Sequence, residues 1–443
     1  MGKVLPELES LDVIVGLMKG HQVHTLIFKR LAPNDNSKNQ IYLGGDYSAL
    51  QLLPFGNVYA DKSRKDSKRD RFKADLHFNW MNNVGKLYEA PSAQLILYPK
   101  YPEVRMSGFL KGSECAPSNY LTCRDEGRVM LLGITEDRRI IGHIIGPNNP
   151  VSSELETYDS DAVFNVIFKD RLKESTKHQL ITKLKEIHEL GWVNSCKLDK
   201  EGVAQPYRAQ NGGGYTLEAL LGVLPNGLNE PDYMGWEVKQ HNCKLNKPLS
   251  GGAITLMTPE PTGGFYKDMG VINFVQNFGY PDTKGREDRY NFGGVHKFNI
   301  QQARTKLTLE LVGYDTITDK ITDINGGITL RSEDGVEAAI WHYSSLLEKW
   351  NRKHSQAVYV PSNKQTENGV QYYYGNVVAL GIGTDFGKFL SAMAARSIYY
   401  DPGIKVENIS TVPKAKKRSQ FRIRPISLPT LYDEMELVDL LEH

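Results

Sequence analysis

Short runs of apolar residues, broken every few positions by Gly, Pro and Asn, fill the first third of the chain. HTLIFKRL (24–31) predicts a strand, the turn-rich APNDNSKN follows, and IYLG predicts a second strand. AQLILYP (93–99), RVMLLGI (128–134) and RRIIGHII (138–145) predict further strands, while long helical periodicity is scarce. This pattern predicts a small β-rich N-terminal domain of barrel-like build.

The pattern changes after residue 146. GPNNPVSSELETYDSD (146–161) is rich in Pro, Ser and acids and reads as a linker, so the domains are expected at 1–155 and 160–443. RLKESTKHQLITKLKEIHEL (171–190) has apolar residues at helical spacing and ends at Gly191. Helices and strands then alternate: a helix from Tyr215, strands at GWEVKQ, GAITLMT, HKFNI and KLTLELVGY, a helix over 337–354, and strands at QAVYVP and YYYGNVVALGI. The second domain is therefore expected to be α/β with a mixed central sheet.

A length of 443 residues suits two domains, and 40% hydrophobic with 24% charged residues suits a water-soluble globular chain. No apolar run has the length of a membrane span, and the N-terminus lacks a cationic start followed by an apolar stretch, so a cytoplasmic protein is expected. Cys115, Cys123, Cys196 and Cys243 form no CxxC pair and are expected as free thiols; His241 and Cys243 are close but lack a second ligand pair for zinc. Net charge is only +2, yet 61–73 holds seven Lys/Arg against three Asp and 414–424 holds six basic residues with no acid. Such clusters suit a phosphate backbone, or equally a solvated loop.

The most informative stretch is NGGGYTLEALLGVLPNGLNEPDYMGWEVKQH (211–241). Alternation along a strand puts Glu237 and Lys239 on one face, and Asp232, just ahead of that strand, can fold back toward them. Two converging carboxylates suit a hard divalent cation such as Mg²⁺, with the Val238 carbonyl as a backbone ligand and Glu218 as a further carboxylate. Lys239 is then placed to orient or deprotonate a water and to screen charge growing on a phosphate. Phosphodiester hydrolysis needs such help, on the order of 20 kcal/mol of barrier lowering.

Asn211, Gly212, Gly214, Thr216, Glu218, Pro231, Asp232, Glu237 and Lys239 together resemble the catalytic core of the MvaI/BcnI family of restriction endonucleases, a branch of the PD-(D/E)xK nucleases. ITLMTPEPTGG (254–264), FGYPD (278–282), KWNRKHSQAVYV (349–360) and FRIRPISLPTLYD (421–433) also fit, so the resemblance covers about residues 165–443. It implies a monomeric, Mg²⁺-dependent enzyme that cuts double-stranded DNA at a CC-x-GG type of site and leaves a 5′-phosphate. FKRLAPNDNSKNQIYL (28–43) is similar to the start of the effector DNA-binding domain of EcoRII-type enzymes, a pseudobarrel. The two halves together resemble restriction enzymes in which an effector domain precedes an MvaI-like nuclease. That implies CCWGG recognition and a second DNA copy on the N-terminal half.

Further DNA-facing candidates are Lys29, Arg30, Asn34, Asp35, Asn36 and Arg105 in the first domain, and His354, Arg422 and Arg424 in the second. Arg422 and Arg424 alternate in an expected strand, where arginine forks suit guanine edges or phosphates. Turn chemistry explains the Asn and Asp residues equally well, Arg105 can pair with Glu103, and a helix C-terminus favours His354 on electrostatic grounds alone. TDINGGITLRSE (322–333) lacks the ligand positions of a calcium loop, and GIGTDFGK (381–388) lacks the ending of a phosphate-binding loop, so no ATP engine is expected. Two alternatives stay open: a modification-dependent or repair endonuclease, and a sequence-specific DNA-binding regulator on a silent nuclease fold.

Overall fold

The computed structural model describes residues 6–33, 40–44, 53–61, 70–99, 103–158, 163–169, 172–224, 231–367 and 369–442. The chain divides into two compact units, Met1–Ser175 and Thr176–His443. Among the described residues no helix is long and apolar enough to cross a membrane. All four cysteines are free.

The first unit is β-rich. One sheet runs in the order Asn165–Lys169, Val23–Arg30, Val129–Thr135, Ile140–Ile145, Phe78–Met81, Leu87–Glu89, antiparallel except where Ile140–Ile145 pairs with Phe78–Met81. The other, antiparallel throughout, runs Ile41–Gly44, Glu103–Ser107, Gln94–Tyr98, Phe72–Asp75, Val58–Ala60. Both sheets are open, and among the described residues no strand order closes into a barrel. Val129–Thr135 and Ile140–Ile145 are buried at every position, as central strands covered on both faces. Part of the cover is helix Leu11–Gly20, whose Leu11, Ile14 and Met18 recur on one face and pack against Val23, Leu26, Phe28 and Leu131.

The segment read as a linker belongs to this unit. Pro150–Glu154 is a short helix capped by Asn149, whose side chain accepts from the Val151 N–H, and Val151 and Leu155 are fully buried in the core. Asn165–Lys169 then pairs with Val23–Arg30.

The second unit is α/β around a mixed sheet. Its order is Val193–Asn194, Gln371–Tyr374, Gln356–Gln365, Val377–Ile382, Glu434–Asp439, and Glu237–Asn242 lies parallel to Gln356–Gln365 with Glu237 opposite Ala357 and Lys239 opposite Tyr359. Leu180, Ile181, Leu184 and Ile187, one face of helix Leu172–Glu189, pack with Leu217, Leu221, Trp236, Val238, Val358 and Val360 in a shared core. Smaller antiparallel sheets complete the unit, including Thr308–Val312, Gly327–Arg331 and Glu337–His342. Two expectations change. The helix expected over 337–354 begins only at Tyr343, because Glu337–His342 is a strand paired with Gly327–Arg331. HKFNI makes only isolated bridges, His296 with Tyr400 and Phe298 with Leu309.

Candidate active site

The acid pair is positioned by a tight reversal. Tyr233 and Trp236 exchange two backbone hydrogen bonds of 2.9 and 2.8 Å, with Met234 at φ +47° and Gly235 at φ +85° between them. Positive φ at both central residues is the turn that suits paired strands, and glycine takes the second position without strain. The reversal brings Asp232 beside the start of the next strand, where its Oδ2 accepts from the Val238 N–H at 2.9 Å.

On that strand Glu237 and Lys239 share a face, and the Lys239 ammonium pairs with Glu237 Oε1. The Glu237 side chain is 0% exposed. A second ammonium, from Lys353 at the end of helix Tyr343–Lys353, lies 3.3 Å from Glu237 Oε1 and 3.5 Å from Asp232 Oδ1. Asp232, Glu237 and Lys239 are thus brought to one point, joined by a residue that the sequence reading missed. The available signal was topological: a lysine closing the helix just before Gln356–Gln365 must end near the start of the parallel strand Glu237–Asn242.

Glu218 reaches the same charges from helix Gly212–Leu220. Two of the three glycines at that helix's start are explained by close approach: a Cβ on Gly212 would sit 2.7 Å from Ser195 Oγ, and one on Gly213 would sit 2.6 Å from Gln240 Oε1, whereas Gly214 faces open space. The Tyr374 hydroxyl donates to the Gly213 carbonyl at 2.7 Å, and Thr216 Oγ1 donates to the Gly212 carbonyl at 2.7 Å. Glu218, Val238 and Lys239 line a cleft of about 630 Å³ whose wall also carries Gln240, Asn242, Lys364, Gln420 and Arg422.

The electrostatics are those of crowded acids. Burial, then the neighbouring charge of Asp232, pushes the Glu218 carboxyl up to about 7, although Lys239 and Lys353 pull it down. Asp232 is also raised, by burial first and then by Glu237. Burial pulls Lys353 down, but Glu237 and Asp232 more than offset it, and its pKa stands above the ordinary lysine value.

Whether these residues suit a divalent cation can be judged from Glu237. Both ammonium groups converge on Oε1, while Oε2 is buried with no hydrogen-bond partner. An unpaired anionic oxygen in a buried carboxylate is costly unless a cation completes it. Asp232, Glu237 and the Val238 carbonyl form a hard oxygen set, so the residues fit the ion. Among the described residues no three His, Cys, Asp or Glu side chains are grouped so as to hold a metal ion, so Glu218 stands outside the Asp232–Glu237 pair although its charge is felt there, and His241 Nε2 and Cys243 Sγ, 3.3 Å apart, have no third ligand.

The other candidates are dispersed. Arg422 lines the cleft with its guanidinium held by Asp401 Oδ2 and the Ala253 carbonyl, each at 2.6 Å. Its strand is Phe421–Ile423; Arg424 follows in extended backbone and is exposed, and the charges of both arginines act on Tyr399. His354 is 1% exposed, stacked on Trp350 at 4.3 Å, with Nε2 3.0 Å from the Leu256 carbonyl. Burial, then Lys239 and Lys353, hold its pKa down to about 3, so this neutral ring packs the interior and no DNA contact is open to it as it stands. In the first unit Arg105 pairs with Glu103 at 2.9 Å, Arg30 donates to Ser152 Oγ and to its carbonyl at 3.1 Å, and Lys29 is half-buried, its pKa lowered by burial. Asn34, Asp35 and Asn36, most of the 61–73 basic segment and Pro225-Asn226-Gly227 lie outside the described residues.

A comparison with curated proteins gives no match. Among solved structures, the complex of restriction endonuclease MvaI with cognate DNA substrate aligns over 59% of this chain and 97% of that chain, with 16% identity and a TM-score of 0.44. Restriction endonuclease MvaI in the absence of DNA aligns over 60% and 98%, with 14% identity and a TM-score of 0.33. The family model "MvaI/BcnI restriction endonuclease family" matches residues 181–432, more than half of the chain and all of the site just described. The chain belongs to the MvaI/BcnI restriction endonuclease family.

Proposed function

We propose that the chain is a Mg²⁺-dependent type II restriction endonuclease of the PD-(D/E)xK kind, hydrolysing double-stranded DNA at a short CC-x-GG type of site, CCWGG in particular, and leaving 5′-phosphate ends. The observation that carries this reading is the buried Glu237 carboxylate, with two ammonium groups on one oxygen and an unpartnered second oxygen, beside Asp232. Asp232 and Glu237, with the Val238 carbonyl, would hold Mg²⁺, and Glu218 would support that shell. Bound there, the ion would supply positive charge and Lewis acidity to the scissile phosphate. Lys239 orients the attacking water and stabilises charge as it builds on the phosphate oxygens. Asp232 is kept in place by the Val238 N–H. Arg422 and the polar cleft wall offer donors and acceptors to base edges and phosphates.

The first unit acts in this reading as an EcoRII-like effector domain of pseudobarrel type, binding a second DNA copy through Lys29, Arg30, Asn34, Asp35, Asn36 and Arg105. The enzyme works as a monomer in the cytoplasm. Incubation of DNA carrying one or several CCWGG sites, with and without Mg²⁺, followed by sequencing of fragment ends, tests the reading. Discrete Mg²⁺-dependent ends at one short sequence are expected. Intact DNA under all conditions, with binding retained, would instead favour a DNA-binding regulator.

A further inference from the structure

Two ammonium groups meet the acid pair, and they differ in what they span. Lys239 pairs with Glu237 from the same strand face, whereas Lys353 alone reaches both acids, 3.3 Å from Glu237 Oε1 and 3.5 Å from Asp232 Oδ1. A cation shared by two carboxylates is the role expected of the divalent ion, and at this range a dication and an ammonium repel strongly. Both cannot hold that place. Lys353 is also built to leave. It is the last residue of helix Tyr343–Lys353, its four-carbon stem is flexible, and its side chain is 28% exposed, against 0% for Glu237. The helix end beneath it is fixed, since the His354 N–H donates to the Trp350 carbonyl at 2.9 Å and the two rings stack. Movement therefore falls to the side chain.

We propose that Lys353 is the resident counter-ion of the metal-free acid pair, a positioning residue that keeps Asp232 and Glu237 together and swings aside when the divalent ion enters. The inference rests on the acid pair being the metal site. It predicts that Lys353 and Mg²⁺ compete, so that the free enzyme binds Mg²⁺ more weakly than its carboxylates alone would.

The test is calorimetric titration of the full-length chain with MgCl₂ in the absence of DNA. Lys353→Met should bind Mg²⁺ about tenfold more tightly than wild type, and Lys353→Arg, which keeps the charge, should stay near wild type. If the Met variant fails to melt cooperatively, Lys353→Gln replaces it, with the Mg²⁺-induced rise in melting temperature as a second readout. Unchanged or weaker affinity in a folded neutral variant overturns the proposal. Tight binding that persists when Asp232→Asn and Glu237→Gln are added to Lys353→Met overturns the site assignment, and the role of Lys353 with it. Loss of binding there, beside unchanged affinity in Lys353→Met alone, overturns only the role of Lys353.

Discussion

Replacing Glu218 by Gln measures how much electrostatic strain the free site stores. The Glu218 carboxyl is raised from 4.5 to about 7, by burial first and then by Asp232, with Lys239 and Lys353 opposing. Between those two values the folded chain binds more protons at this position than the unfolded chain does, so stability falls as pH rises through the interval. The contribution of Glu218 is fully favourable below the ordinary glutamate value and is lost once the pH passes the folded value. Two to three pKa units at about 1.4 kcal/mol each give about 3 kcal/mol, and the side open to the cleft reduces this to about 2 kcal/mol through solvent screening. Glutamine keeps the shape and removes the charge. Urea unfolding without divalent ions, followed by tryptophan fluorescence, should show the variant more stable than wild type by about 2 kcal/mol at pH 8 and equal to it near pH 4.5. Curves that differ by the same amount at every pH, or that diverge toward acid, would refute the reasoning.

Lys239→Ala should slow single-turnover cleavage by about 10²–10³-fold while DNA binding in a filter assay changes little, because the lost ammonium acts on charge that develops only during the reaction. Gly213→Ala should destabilise the second unit by about 1–2 kcal/mol in urea, since the new Cβ meets Gln240 Oε1 and Tyr372 while the gain in helix propensity offsets part of the crowding. A chain beginning at Leu172 should still cut DNA but lose any stimulation by added site-bearing duplex. A folded truncated chain that responds to duplex like the full chain would remove the effector role from the first unit.

Legibility followed the range of the interactions involved. Glu237, Lys239 and Asp232 could be read because strand alternation and one turn set their geometry within eight residues. The glycines before Glu218 drew notice, but the cause at Gly212 and Gly213, close contacts with Ser195 and Gln240, is tertiary. Lys353 went unread because its partners lie more than a hundred residues away and only the parallel pairing of Glu237–Asn242 with Gln356–Gln365 brings them together. The 337–354 run misled because Ala338, Ala339, Ile340 and Trp341 form a continuous buried stretch, in which helix and strand periods cannot be told apart. Composition misled at 146–161, where Pro and Ser mark turns while Val151 and Leu155 anchor the segment in the core. His354 was a DNA-facing candidate from its place after the helix, yet its ring is buried against Trp350.

Charge counting links the stored strain to the order of assembly. Glu218, Asp232 and Glu237 face Lys239 and Lys353, so with every group ionised the free site carries a net charge of minus one. Partial protonation of Glu218 near neutral pH brings it closer to zero, which is how the fold tolerates buried acids. A divalent ion that displaces Lys353 takes Asp232, Glu237 and Lys239 from minus one to plus one with Glu218 protonated, and a phosphodiester then brings the set to neutrality. Each ligand therefore improves the site for the other, a coupling that thermodynamic linkage makes reciprocal. Magnesium affinity should rise when cleavage-blocked DNA is bound, and DNA affinity should rise with Mg²⁺ by the same factor. Titrating Mg²⁺ into the unsubstituted chain, with and without cognate duplex whose scissile linkage resists hydrolysis but keeps its charge, checks this, and equal affinities in the two titrations would show that the phosphate does not enter the charge balance at all.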